Sequence, residues 1–356
     1  MRVKKLLILF AGLLALQTVR AQDIHFTQYN MSPMTLNPAN IGGFNGTIRV
    51  GGIYREQWRS VIGGSRFTTP SAWVDAPVIR GFRKRDWIGV GFMLFQDKAG
   101  DGGLSHGAAK FGAAYHFALD KKGNTYLTLG AHYGGEQRKT DINKYYFEDG
   151  IIKSGGIDNY DRTKSLDQNG LSGGNSVLNA RYTDIDAGIA LTSKLNKTTD
   201  VKIGVAMYHI TRPNYSLLTG GTGGVGTTTS DMPRRLVVHG QFNTDLNKKL
   251  SFNPTFLFQS MSGADEIVLQ APFGYKLNPQ KEITLHAGLG YRMRDAANLL
   301  LGMTKGNLRV GLAYDVNLSS LTTVSNYRGG WELAVNYIIK IYKPAVVKPK
   351  ILCPRY

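Results

Sequence analysis

The sequence predicts an all-β chain that closes as a single antiparallel transmembrane β-barrel of the outer-membrane type, with about fourteen strands. Three observations predict it. The chain opens on an export signal, its strand-like segments alternate apolar with polar residues over bilayer-crossing lengths, and tight turns and long polar loops join those segments.

Arg2, Lys4 and Lys5 form a basic n-region, Leu6 to Leu16 an apolar h-region, and Val19 and Ala21 the small residues of a cleavage site. Residues 1–21 therefore read as a signal peptide cut after Ala21. The apolar run falls well short of the ~20 residues a spanning helix needs, and no cysteine follows it to carry a lipid. Beyond residue 21 no apolar run reaches that length, which excludes an inner-membrane helical protein and leaves a soluble exported protein or a barrel. The single Cys353 cannot build an intramolecular disulfide framework, so stability rests on backbone pairing and packing. Charge adds a second constraint: 43 Lys+Arg against 25 Asp+Glu gives +18. Outside the cytoplasm such a surface suits outer-membrane lipid, lipopolysaccharide or acidic partner surfaces. The charge is scattered, with no arginine-rich helix or stacking platform, so nucleic acid is not an expected partner.

Residues 22–44, with Pro33 and Pro38, precede the first strand and form a periplasmic or plug segment. The barrel is expected over 45–342, with a basic tail at 343–356. Glycine and aromatic residues are abundant and helical stripes are few, as in β proteins. Period two is clearest near the C-terminus. Leu308, Val310, Leu312, Tyr314 and Val316 share one face, opposite Arg309, Gly311, Ala313 and Asp315. Trp331, Leu333, Val335, Tyr337, Ile339 and Ile341 alternate with Glu332, Ala334, Asn336, Ile338 and Lys340 in the same way. One face suits lipid and the other a hydrated lumen. Candidate strands fall near 46–57, 69–79, 86–97, 104–119, 123–137, 180–194, 199–211, 233–245, 249–261, 264–276, 281–294, 297–304, 306–317 and 329–342. Many approach the ~9–11 residues a tilted strand needs to cross the hydrocarbon layer, against ~5–6 in an ordinary globular strand. Tight turns at 120–123, 247–249 and 278–280 contrast with long polar stretches at 138–179 and 213–232. Trp58, Trp73, Trp87, Trp331, Tyr54, Tyr115, Tyr291 and Tyr342 are candidates for an interfacial aromatic girdle.

Motifs for chemistry are weak. Gly221, Gly223 and Gly226 have dinucleotide-fingerprint spacing, but no helix opens after them. Asp158, Asn159, Tyr160 and Asp161 place oxygens close together without the glycine and terminal glutamate of a calcium loop. His25, His209 and His239 sit singly, without paired-ligand spacing, and no G-x-S-x-G elbow occurs. No catalytic residue, cofactor or metal is expected.

Local wording is more specific. Asp23, His25 to Tyr29, Pro33 and Leu36 to Ala39 open the series. Tyr54, Arg55, Gln57 and Trp58 follow, then Asp97 to Gly100, then His209, Arg212, Pro213 and Asn214. Tyr291, Arg292, Asp295, Ala296, Tyr314, Asp315, Asn317, Ser320, Leu321 and Glu332 complete it. In that order these residues resemble the PorP/SprF family of type IX secretion membrane proteins over nearly all of the mature chain. The resemblance implies an outer-membrane barrel of Bacteroidota that works with the type IX secretion or gliding machinery. Some members of the family belong to the core assembly, and others sit beside a secreted adhesin cargo. It offers no catalytic residues. The expected role is a non-enzymatic barrel supporting export or surface retention of cargo; a hydrophobic-compound transport channel with an N-terminal plug, and more distantly a barrel-embedded lipase, are the alternatives. Arg49, Arg55, Arg292, Arg309, Asp315 and Glu332 are expected to order the 22–44 segment through ion pairs, and Phe26, Tyr29, Pro33, Asn37 and Pro38 to form an N-terminal docking segment.

Overall fold

The computed structural model describes residues 23–341 except 63–65, 81–84, 101, 147, 160, 162–176, 218–229, 279, 281 and 321. The expected signal peptide and its cleavage site, the glycine run at Gly221, Tyr160, Tyr342 and the basic tail with Cys353 lie outside the described residues.

The wall is built from β1 (Ile48–Gln57), β2 (Phe67–Arg80), β3 (Trp87–Ala99), β4 (Leu104–Ala118), β5 (Thr125–Asp141), β6 (Val177–Lys194), β7 (Thr199–Tyr208) and β8 (Arg235–Asp245). It continues with β9 (Leu250–Phe252), β10 (Thr255–Met261), β11 (Ala264–Asn278), β12 (Ile283–Arg292), β13 (Ala296–Lys305), β14 (Leu308–Asn317) and β15 (Arg328–Ile339). β9 and β10 are two pieces of one wall strand, both lying between β8 and β11. The break falls at Pro254, which has no N–H to give the ladder, while its carbonyl still accepts from Phe242 N–H at 3.0 Å. Counted so, the barrel has 14 antiparallel strands. β15 pairs with β1 from Ile48 opposite Ile339 to Gln57 opposite Gly330, which closes the wall and removes its free edges. The predicted fold class is borne out. The hairpin of β5 and β6 reaches further than the alternation suggested, to Asp141 and Val177. β7 stops earlier, at Tyr208, because His209 and Arg212 take φ of +58° and +48°, which a ladder cannot hold.

Both ends of the wall, the connections 119–124, 195–198, 246–249 and 306–307, and the strand ends Arg80, Trp87, Asn278 and Ile283 share one rim, called the turn rim. There the Asp120 carboxylate accepts from the N–H groups of Lys122, Asn124 and Thr125, a local closure that needs no long loop. The opposite, loop rim carries the strand ends Asp141, Val177, Tyr208 and Arg235, between which the described residues are 142–146, 148–159, 161, 209–217 and 230–234. It also has tight connections at 100–103, 262–263 and 293–295, so loop length separates the rims only in part.

Alternation places apolar side chains outside. Phe111 is 67% exposed, Leu289 65% and Leu301 61%, values that fit lipid contact and not a water-facing sheet. No helix among the described residues is long and apolar enough to cross a membrane. Two girdle expectations are corrected. Trp73 is buried, sharing its parity with Ser71 and Asp75, and Trp87 stacks on His116 and donates from Nε1 to the Gly42 carbonyl at 3.0 Å. Both indoles therefore face the lumen. Tyr54 and Trp331 do sit together on the outer wall, ring centroids 5.3 Å apart.

The lumen is filled by the chain's own start. Asp23 lies at the loop-rim level beside His209 and Arg235. From there the segment descends through short helical turns at Tyr29–Met31, Pro33–Leu36 and Pro38–Asn40 before reaching Ile48 at the turn rim. Its prolines suit such turns, since each opens a short helix where an N–H has no partner anyway. The hydrophobic core is the seam between this plug and the wall. Phe26, Met31, Met34 and Ile41 pack with Ile53, Trp73, Met93 and Phe95, and Tyr29 packs with Tyr208, Val237, Leu257 and Val268.

Candidate functional site

Strand parity sends a polar set inward, and the plug meets it in three places. The first lies on β1, β12, β14 and β15 toward the loop rim. Here Arg55, Arg292, Asp315 and Glu332 are all buried. Arg55 reaches Asp315 at 3.4 Å and Glu332 at 3.5 Å, while Arg292 reaches Asp315 at 3.2 Å and Asp295 at 3.0 Å. Peptide groups of the plug complete the network. The N–H groups of Thr27 and Gln28 donate to the two Glu332 oxygens at 2.6 and 2.8 Å. The Thr27 hydroxyl lies 2.9 Å from both Asp315 oxygens and accepts from Arg292 at 2.7 Å, and Arg55 donates to the His25 carbonyl at 2.6 Å. Buried charges persist only when paired and hydrogen-bonded, so the wall ions and this backbone stretch require one another.

The second place lies opposite, on β4, β5 and β6. Lys110 is buried, with its ammonium 2.6 Å from Glu136, 3.1 Å from Asp184 and 2.8 Å from Asp186. His209, just past β7, bridges outward from this set, with Nδ1 2.7 Å from Asp184 and Nε2 3.2 Å from Asp23 of the plug. Arg235 lies 3.4 Å from Asp23 and donates to the Ile24 carbonyl at 2.7 Å. Burial disfavours the imidazolium, yet the hydrogen bonds to Asp184 and Asp23 outweigh it and hold His209 up at about 9. Burial likewise opposes the Asp23 carboxylate, but Arg235 and His209 pull it well below the usual carboxylate range. Glu136, Asp184 and His209 have ligand atoms within 4.8 Å of one another, a metal-like spacing. Lys110 already puts a cation against both carboxylates, so charge neutralisation there is supplied by the chain.

The third place is held by shape. Across β3 to β7 the lumen face carries Gly89, Gly112, Gly130, Gly188 and Gly204. A Cβ at Gly130 would fall 2.5 Å from the Ala39 nitrogen and the Pro38 carbonyl. One at Gly188 or Gly204 would strike the Asn37 amide, and one at Gly89 the Ile41 carbonyl and the Gly42 Cα. Absence of side chains lets the plug backbone lie against the wall. Asn37 then donates to the Ile189 and Val205 carbonyls at 3.2 and 3.3 Å, Nε2 of His116 meets the Ile41 carbonyl at 2.8 Å, and the Gly42 N–H donates to Asp75 at 2.7 Å.

The plug divides the lumen into a cavity of ≈ 790 Å³ on the turn-rim side and one of ≈ 500 Å³ on the loop-rim side. The model for the type IX secretion system membrane protein PorP/SprF matches residues 18–337. The chain belongs to the PorP/SprF family. This PorP/SprF chain is therefore an outer-membrane barrel associated with secretion machinery. No curated protein matches it. Among solved structures it is similar to a FadL homologue of Pseudomonas aeruginosa, at 11% identity and TM-score 0.47 over 85% of this chain and 92% of that one. It is also similar to the P. putida toluene transporter TodX, at 12% identity and TM-score 0.43 over 86% and 93%. The CymD monoaromatic hydrocarbon channel gives 11% identity and TM-score 0.46 over 88% and 93%. Likeness of this degree says nothing of what the PorP/SprF chain binds.

Of the six residues expected to hold the N-terminal segment, the structure gathers Arg55, Arg292, Asp315 and Glu332 into one cluster. Arg49 stands apart near the turn rim, 2.7 Å from Asp75 and 3.1 Å from the Asn40 carbonyl. Arg309 lines a small cavity beside Asn30 and Met31 and makes no ion pair among the described residues. The linkage itself differs from expectation. Residues 22–44 contain one carboxylate, Asp23, so most of the contact is between wall ions and plug peptide groups instead of ion pairs. Phe26, Tyr29, Pro33, Asn37 and Pro38 are all buried against the barrel, and the surface they would offer a partner is taken by the wall. Sequence reasoning missed Lys110, Glu136, Asp184, Asp186, Asp23 and Arg235. The signal was there in part: Asp184 and Asp186 flank the outward Ile185 at the parity of a lumen face.

Proposed function

We propose that the chain is a non-enzymatic, self-plugged scaffold of the type IX secretion machinery, supporting export or surface retention of a secreted cargo protein. The observation that carries this is the plug: residues 23–42 occupy the lumen and are tied to wall strands on opposite sides by hydrogen bonds. A wall so filled spends its interior on holding one shape. Its rims are then the faces open to other proteins, and its apolar belt faces lipid. Both cavities set several charged side chains among apolar ones, Arg49, Arg80, Arg85, Asp86 and Lys202 in one and Asp23, Arg55, Asp97 and Arg292 in the other, which suits polar contacts better than passage of hydrophobic compounds. The test is affinity isolation of the tagged chain from detergent-solubilised outer membranes with mass spectrometry of what accompanies it. Type IX machinery proteins or a secreted adhesin are expected; recovery of the barrel alone, together with uptake of a hydrophobic compound that depends on it, would overturn the reading.

A further inference from the structure

The turn-rim cavity contains a cation that the plug does not use. Lys202 of β7 lines it and makes no hydrogen bond or ion pair among the described residues. Carboxylates around it are engaged elsewhere. Asp75 is 2.7 Å from Arg49 and takes the Gly42 N–H, Asp86 accepts from the Tyr115 hydroxyl and the Ala118 N–H, and Asp200 accepts from the Asn243 amide at 2.8 Å. Arg80 and Arg85 stand where the cavity meets the rim. An ammonium that touches no carboxylate, with Arg49, Arg80 and Arg85 lining the same cavity, invites an anion into contact. Size and lining narrow the class. The cavity's ≈ 790 Å³ is far more than a small ion needs and lies within the ~300–1,000 Å³ of sites that hold extended ligands. Gln241, the register partner of Lys202, donates to the Asn243 amide oxygen at 2.9 Å and Asn243 in turn to Asp200, a chain that leaves the Gln241 amide oxygen to accept from a peptide N–H, and the stacked Trp87 and His116 rings offer an apolar wall.

We propose that this cavity binds a carboxylate-bearing peptide segment of a partner protein that approaches the turn rim, the periplasmic side of an outer-membrane barrel. Its carboxylate sits on Lys202 and its backbone on Gln241. The assignment rests on the scaffold reading for the ligand being a protein. Binding by the purified chain tests it separately: machinery proteins recovered without peptide binding sink only the cavity assignment, and peptide binding without co-purifying proteins sinks only the scaffold.

The experiment is calorimetry on the full chain in detergent micelles with three probes. These are an acetylated pentapeptide ending in aspartate with a free carboxyl group, the same peptide ending in asparagine amide, and sodium acetate. The acidic peptide is expected to bind, the amide not to, and acetate to compete only at far higher concentration. Lys202→Gln should weaken the acidic peptide roughly tenfold or more, the scale of one lost charged hydrogen bond, and Lys202→Arg should restore it. Gln241→Ala, which leaves the charge in place, should weaken the peptide and leave acetate unchanged. Equal binding of acid and amide, acetate as strong as the peptide, or full affinity in both Lys202→Gln and Gln241→Ala overturns the proposal.

Discussion

The two halves of the plug both lie against the wall and are held by different physics. Residues 23–28 meet the wall through charge: Glu332, Asp315, Arg55, Arg292, Arg235 and His209 all address that stretch. Residues 37–42 lie on the glycines of β3 to β7 and meet the wall mainly through fit, with Asn37 and the backbone of Asn40, Ile41 and Gly42 adding polar contacts. The upper half should therefore fail when a wall side chain is removed, and the lower half when one is added.

The largest effect is expected from Glu332→Ala. It leaves the N–H groups of Thr27 and Gln28 without their acceptor and removes one of the two carboxylates facing Arg55. Breaking a buried charged network from one side costs about 3–5 kcal/mol. A lowered urea midpoint for the folded, heat-modifiable barrel, with new protease cleavage near residue 27, would bear it out. An unchanged midpoint would show that the upper half is held by packing after all. Gly188→Val is the matching test below. Its new Cβ meets the Asn37 amide, and overpacking of this kind costs about 1–3 kcal/mol. Cleavage should then appear near residues 37–42 while the upper contacts stay protected. Cleavage at residue 27 in both variants would mean that the plug moves as one piece.

The same contrast explains how much was legible in the sequence. Strand number and parity were readable because one rule, apolar outward and polar inward, repeats along the wall, as at Leu308 to Val316. Arg55, Arg292, Asp315 and Glu332 stood out as charges inside apolar alternation. Trp73 and Trp87 misled because residue type was weighed above parity, although Asp75 two residues on marks the face of Trp73. The glycine path could not be read, since glycine in a strand reports only a missing side chain and says nothing of what fills the space. Asp23 with His209 is a contact 186 residues apart, and no local pattern encodes it.

That contact makes the upper half pH-dependent. His209 is held at about 9 in the folded chain against 6.5, so its contribution is complete below 6.5 and is lost as pH rises through about 9. Asp23, pulled down, contributes above its unfolded value near ~3.9 and is lost only as pH falls through its lower folded value. Plug stability should decline by on the order of 2–3 kcal/mol between neutral and strongly alkaline pH, read as faster cleavage near residue 27. Asp23→Asn should make that profile shallower, since Asp184 still holds the imidazolium, and a variant that keeps the full slope would show that the titration does not act through the plug.

The smallest effect tests whether distance alone predicts strength. Lys276 lies 3.1 Å from Asp245 at the turn rim, the same separation as Lys110 from Asp184 in the lumen. The first pair is 35% and 39% exposed, the second 3% and 0%. Water and salt screen the exposed pair, so Lys276→Ala should lower the unfolding free energy read from the urea transition by about 0.2–1 kcal/mol, and the loss should vanish at high ionic strength. The carboxylates around Lys110 have no such solvent to fall back on. A Lys276→Ala loss that is large or insensitive to salt would mean that the turn rim is drier than its exposure implies, and that the division between a charge-held lumen and a weakly held rim is misplaced.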